Sequence, residues 1–236
     1  MVRYPRNRPS RGYRKKRNFF GSLSTNFLLI VITSIISIIA FILFALSEKY
    51  INYLALTSSN ILQGKYLWTL VSHMFVHGGF GHLFVNMFVL FSLGGLCERI
   101  IGKKRYVWFY LIAGVFAGVL SVLLTGFFGM GLGERIFGSA DMPMVGASGA
   151  IFAIAGLLMM LLPRLKFSII FLPFFALPAY LMIPLVLFLT WGLSVIFAWP
   201  IGNVAHFGGF LAGVIYGLYL RVKYNKKVQM LQRYFR

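Results

Sequence analysis

Apolar residues run through this chain in six blocks, separated by short stretches that collect the charge. The blocks cover about 26–46, 82–101, 106–127, 145–162, 179–199 and 203–220. A membrane-crossing helix takes roughly 20 apolar residues, and each block approaches that length. The pattern predicts an all-α integral membrane protein, a bundle of six transmembrane helices. One further apolar piece, 167–177, contains Pro173 and is followed by Pro178, so it is expected to lie at the interface and not to span. The stretch 47–81 is different again. It mixes polar residues with Tyr53, Tyr66, Trp68, Phe75 and Phe80, and Trp and Tyr favour the membrane boundary, so this first loop is expected to sit partly embedded in one leaflet.

Composition agrees with the pattern: 59% of the chain is hydrophobic, 11% is charged, and the mean hydropathy is +0.83. Soluble domains carry roughly 25% charge. The 236 residues leave no room for a sizeable soluble domain beside six helices, so the chemistry must sit within the membrane. The single cysteine, Cys97, excludes an intramolecular disulfide framework and a multi-thiolate metal site.

A net charge of +19 would suggest nucleic acid in a soluble protein. Its distribution suggests a membrane instead. Of the 23 Lys and Arg, all but Lys49, Lys65 and Arg135 fall in the N-terminal arm, in the loops after the second and fourth blocks, or in the C-terminal tail. By the positive-inside rule these segments share the cytoplasmic side, which an even number of spans allows. The chain then divides into a basic, disordered arm over 1–24, a six-span core over 25–221 and a basic tail over 222–236. The arm reads as a topology signal with a secondary attraction to anionic lipid, and Pro5 and Pro9 spoil the amphipathic helix of a mitochondrial presequence. We expect a multi-pass protein of a prokaryotic cell membrane with both termini cytoplasmic, and no nucleic-acid partner.

With that orientation the second, fourth and sixth spans all start on the outer side. His82, Asn86, Ser148 and His206 lie in their first turns and so share one depth. Polar side chains at membrane depth are costly and mark function. A serine in a Gly-rich membrane helix is more often a packing residue, so the weight rests on the convergence of four groups from three helices. A serine hydroxyl becomes a nucleophile when a base takes its proton, and histidine is the usual base. Gly149, Ala153 and Gly156 flatten one side of the fourth span, and Gly209, Gly213 and Gly217 form a matching strip on the sixth. Helices with such strips approach closely, which would bring Ser148 and His206 within hydrogen-bond reach. The only acids are Glu48, Glu98, Glu134 and Asp141, none at the right depth, so a dyad without an orienting carboxylate is expected. His82 and Asn86, at i and i+4, are available donors to an oxyanion, together with backbone N–H groups at the helix start that carries Ser148. His73, His77 and His82 lack an accompanying acid, and we expect no metal and no other cofactor.

With these residues in place, the chain resembles the rhomboid family of intramembrane serine proteases. Gly146-Ala147-Ser148-Gly149 matches the family's Gly-x-Ser-Gly. His82-Leu83-Phe84-Val85-Asn86 matches its His-x-x-x-Asn, and His206-Phe207-Gly208-Gly209 followed by Gly213 matches its last motif. The resemblance implies a six-helix rhomboid bundle with an interfacial first loop. It also implies a Ser148 nucleophile, a His206 base, and an oxyanion hole of His82, Asn86 and Ser148. Transmembrane proteins would be the substrates, cut through an acyl-enzyme without a cofactor. His77 and Glu98 match structural positions of the family, and the fifth span its lateral gate. Two positions depart from the family pattern. Phe152 stands where many relatives have Tyr stacked on the catalytic imidazole, and Trp68 is followed by Thr69 where relatives often have Arg.

Overall fold

The computed structural model describes residues 24–169, 172–199 and 201–235, so apart from Ser24 the basic arm lies outside the described residues. Among the described residues, five helices are long and apolar enough to cross a membrane: α1 (Thr25–Leu46), α5 (Phe80–Ile101), α6 (Lys103–Phe128), α9 (Ala179–Phe197) and α10 (Asn203–Lys223). The first loop folds into three short helices, α2 (Lys49–Leu54), α3 (Ser58–Leu62) and α4 (Thr69–Ser72), and a 3₁₀ turn over His73–Phe75. α7 (Leu132–Phe137) follows α6, and α8 (Ser148–Leu161) stands at the centre. The segment 166–178 pairs as an antiparallel hairpin, β1 (Lys166–Ile169) with β2 (Leu172–Pro178). α11 (Asn225–Tyr234) closes the chain.

The fourth apolar block departs from expectation in length. Its helix has 14 residues, starting at Ser148 and not at 145, which at 1.5 Å per residue is about 21 Å. A hydrocarbon core is about 30 Å thick. α8 therefore cannot reach both surfaces. Apart from Ser148 it carries no polar side chain and is buried almost all round, the signature of a core helix. Its most extensive partner is α10, followed by α6.

The second span is also not a plain helix. A π turn over Leu90–Gly94 interrupts it and frees the Leu90 carbonyl, which accepts from Asn26 Nδ2 of α1 at 3.0 Å. Tyr106 Oη donates to Asn26 Oδ1 at 2.5 Å, so this buried amide of α1 is satisfied from two other helices, α5 and α6. One helical turn on, Glu98 caps α1. Its carboxylate accepts from Ser24 Oγ at 2.6 Å and from the Thr25 and Asn26 backbone N–H groups, both at 2.9 Å. An anion at a helix N-terminus meets orphan donors and the positive end of the dipole. Glu98 is therefore a clamp between spans one and two, far from the catalytic candidates.

Gly114 and Gly118 of α6, one helical turn apart, form a small-residue pair of the kind that admits another helix closely. They mainly receive the first loop instead: a methyl on Gly114 would collide with Met74, and one on Gly118 would lie 3.0 Å from the His73 ring. The glycines of α6 thus seat the loop that carries the histidines.

Candidate active site

The approach to Ser148 is fixed by the first loop before the helix begins. Leu56 and Met144 exchange backbone hydrogen bonds at 2.9 and 2.8 Å, and Gly146 N–H donates to the His73 carbonyl at 2.9 Å. Gly146 has φ +128°, a conformation that side-chain-bearing residues rarely adopt. A methyl there would also sit 3.0 Å from His82 Cε1 and Nε2 and 3.7 Å from Ser148 Oγ. The imidazole of His82 and the hydroxyl of Ser148 thus face one another across the bare glycine.

Ala147 N–H points at His77 Nε2 at 3.5 Å, a long contact, while His77 Nδ1 lies 2.9 Å from Ser37 Oγ. Ser37 Oγ donates to the Phe75 carbonyl at 3.0 Å, so His77 Nδ1 must be the donor to Ser37, leaving Nε2 free to accept. His77 is fully buried, and burial with the His82 ring nearby lowers its pKa to about 3. His73 Nδ1 bonds the Thr69 carbonyl at 2.7 Å, and burial lowers its pKa to about 4. Both are structural imidazoles: His73 is tied within the loop to Thr69, and His77 ties the loop to Ser37 of α1 and to Ala147 before α8.

His206 is the fourth residue of α10, and its Nε2 lies 2.8 Å from Ser148 Oγ. The glycine strips explain the proximity. A methyl on Gly209 would collide with the Gly149 carbonyl, and one on Gly213 with that of Ala153, so α8 and α10 touch backbone to backbone. On its other side the His206 ring stacks on Phe152, with centroids 4.6 Å apart and planes at 27°. Among the described residues, its Nδ1 has no hydrogen-bond partner and no carboxylate lines the cavity. Asn86 is buried, and its Nδ2 donates to the His82 carbonyl at 2.9 Å, which leaves one N–H unused.

Ser148, His206, His82 and Asn86 all line one cavity of about 1110 Å³. It continues between α5, at Val85 and Val89, and α9, at Met182 and Val186, and reaches Phe167 of the hairpin. The residues singled out from the sequence are therefore brought together. Three supporting residues were missed there: Ser37, Asn26 and Tyr106. A signal existed for the first two, since Asn26, Thr33, Ser37 and Ala40 recur at helical spacing in an otherwise apolar block and form the buried face of α1.

Residues 64–223 match a family model described as Rhomboid domain. RHOMBOID-like protein 5 of Arabidopsis thaliana is 35% identical over 160 residues, 67% of this chain and 46% of that protein. Rhomboid protease GluP of Bacillus subtilis (strain 168) is 31% identical over 113 residues, 48% of this chain and 19% of that protein. The mitochondrial presenilin-associated rhomboid-like protein of Homo sapiens is 30% identical over 149 residues, 61% of this chain and 36% of that protein. The matched stretch thus spans less than half the length of each of these relatives.

Proposed function

The chain belongs to the rhomboid family, and from that premise we propose that it is an intramembrane serine endopeptidase acting on transmembrane proteins. The observation that carries this reading is the 2.8 Å contact between Ser148 Oγ and His206 Nε2, within a cavity that lies between two membrane helices. Ser148 Oγ attacks the scissile carbonyl carbon as its proton passes to His206 Nε2. The resulting oxyanion takes hydrogen bonds from His82, from the unused N–H of Asn86 and from the Ser148 backbone N–H. The C–N bond breaks as His206 returns the proton to the leaving amine. Water then attacks the acyl-enzyme with His206 again as base, releasing the acid and restoring the hydroxyl.

His206 Nδ1 carries the ring proton in this cycle, because Nε2 must accept. No carboxylate holds that proton, so the ring is oriented by Ser148 and Phe152 alone, and the pair acts as a dyad. No metal or cofactor takes part. The charge segregation supports cytoplasmic termini and a Ser148 that opens toward the outer side. The space between α5 and α9 supports lateral arrival of a substrate helix, with α9 as the gate.

The test is cleavage of a single-span reporter by purified protein in liposomes. Ser148→Ala should abolish it with the thermal unfolding midpoint unchanged, and a serine-directed phosphonate should label Ser148 in wild type but not in His206→Ala. Cleavage by Ser148→Ala at the wild-type rate would refute the assignment. A binding relative without hydrolysis would leave both the reporter and the phosphonate untouched in wild type.

A further inference from the structure

At the end of the bundle away from Ser148, three cations surround one aromatic ring. Arg105 from the start of α6, Lys223 from the end of α10 and Lys227 from α11 lie 5.7, 5.8 and 5.8 Å from the centroid of Tyr224. All three side chains are exposed. Lys223 Nζ also donates to Tyr219 Oη at 2.6 Å. Cation–ring contacts of this kind contribute only about 0.5–1 kcal/mol each at exposed sites, and three like charges around one ring repel one another.

No side-chain carboxylate is available to relieve that repulsion. The whole chain has four Asp and Glu. Glu48, Glu134 and Asp141 belong to segments at the Ser148 end, and both oxygens of Glu98 are committed to Ser24, Thr25 and Asn26. None of these four side chains supplies the compensating anion, and an anion from outside the chain fits the site.

The seating of α11 says which anion. Val228 is buried, Leu231 and Phe235 pack against the core, and Gln232 Nε2 donates to the Leu161 carbonyl at the foot of α8. These contacts seat one face of the helix on the protein, and Lys226, Lys227 and Arg233 remain exposed on the rest of it together with Met230 and Tyr234. The helix thus begins two residues after α10 ends, at the level where spans leave the hydrocarbon, which is where lipid phosphates lie. We propose that Arg105, Lys223 and Lys227, gathered by Tyr224, form a binding site for the headgroup phosphate of an anionic phospholipid.

The test uses the purified full chain in neutral detergent, with phosphatidylglycerol and phosphatidylcholine of identical acyl chains, and counts retained lipid by native mass spectrometry. Wild type should retain phosphatidylglycerol in preference. R105Q/K223Q/K227Q should bind it on the order of 100-fold more weakly, at about 1 kcal/mol per basic residue. R221Q/K226Q/R233Q removes as many charges from the same end and none from the ring, and should lose at least about tenfold less than the first triple variant, because none of these side chains holds the phosphate directly. Tyr224→Leu, which keeps every charge, should lose about tenfold. Equal loss in the two triple variants would reduce the site to diffuse attraction and overturn it. So would equal retention of phosphatidylcholine, or displacement of the lipid by excess inorganic phosphate, which would make it a site for the free anion. Each variant should unfold at the wild-type temperature in neutral detergent, and cleavage activity has no bearing on the outcome.

Discussion

The ring of Phe152 lies on that of His206, one helical turn beyond Ser148 on α8. Because His206 Nδ1 has no partner, this stack and the Ser148 hydroxyl are all that fix the imidazole's orientation. An aromatic pair contributes about 0.5–1.5 kcal/mol beyond its buried area, which corresponds to about tenfold in rate. Phe152→Ala should therefore lower kcat about tenfold with KM little changed, and slow phosphonate labelling of Ser148 by the same factor. Phe152→Tyr preserves the face and should stay near wild type. Unchanged labelling in Phe152→Ala would show that something other than the stack holds the ring.

Gly209→Ala probes the backbone contact that brings the two helices together. Its methyl would meet the Gly149 carbonyl, which cannot move without displacing the turn that follows Ser148. Overpacking of this kind costs about 1–3 kcal/mol. Gly209→Ala should lower the unfolding midpoint and the cleavage rate together. Gly192→Ala, in α9 with nothing within 4 Å, is the matched control. It should be neutral or stabilising by up to about 1 kcal/mol, because it removes a helical glycine. A Gly209→Ala protein as stable and active as the control would contradict the close contact.

How far the sequence could go is visible in these two residues. The strip of Gly209 and Gly213 was legible because it is a local spacing, and the Ser148 and His206 pair, 58 residues apart, because each heads such a strip and the charge asymmetry supplied their common depth. The shortness of α8 was not legible, because an apolar run records burial and does not separate lipid from protein as the thing that buries it. The π turn at Leu90–Gly94 was hidden for another reason: its freed carbonyl is satisfied by Asn26, 64 residues away. Likewise, nothing in the order of residues tells that Ser37 sets the tautomer of His77. The tail over 222–236 reads as basic, and its charge does not reveal that Val228, Leu231 and Phe235 bind it to the core.

Buried neutral histidines make the fold acid-sensitive. His73 and His77 have pKa values lowered to about 4 and about 3 from an ordinary 6.5, because burial disfavours their charged forms. The unfolded chain therefore binds more protons than the folded one between those values, and stability rises with pH through this range. The contribution is complete above about pH 6.5 and is lost progressively as pH falls toward 3–4, amounting to a few kcal/mol in order of magnitude. Unfolding midpoints measured from pH 8 to pH 4 should fall more steeply for wild type than for His77→Gln, which keeps an acceptor for Ala147 but does not titrate. Parallel curves would remove His77 from the explanation.

The gate reading of α9 can be separated from the chemistry. α9 buries few side chains, chiefly Ala179, Met182, Ile183 and Leu187, and carries Pro184 in its interior. Its second half is held by polar ties. Trp191 Nε1 donates to the Ile136 carbonyl at 2.9 Å, and Asn203, three residues before His206, donates to Ser194 Oγ. Each tie stabilises the closed position by about 1 kcal/mol, so removing one should raise the displaced population about fivefold. Trp191→Phe, which keeps a ring beside Phe207, and Ser194→Ala should each raise kcat/KM for a membrane-embedded reporter several-fold, with faster hydrogen exchange in α9. Phosphonate labelling of Ser148 should not change, since a small water-borne reagent does not need the helix to move. If labelling accelerates in step with reporter cleavage, the ties act on the site and not on the entrance, and α9 is not the gate.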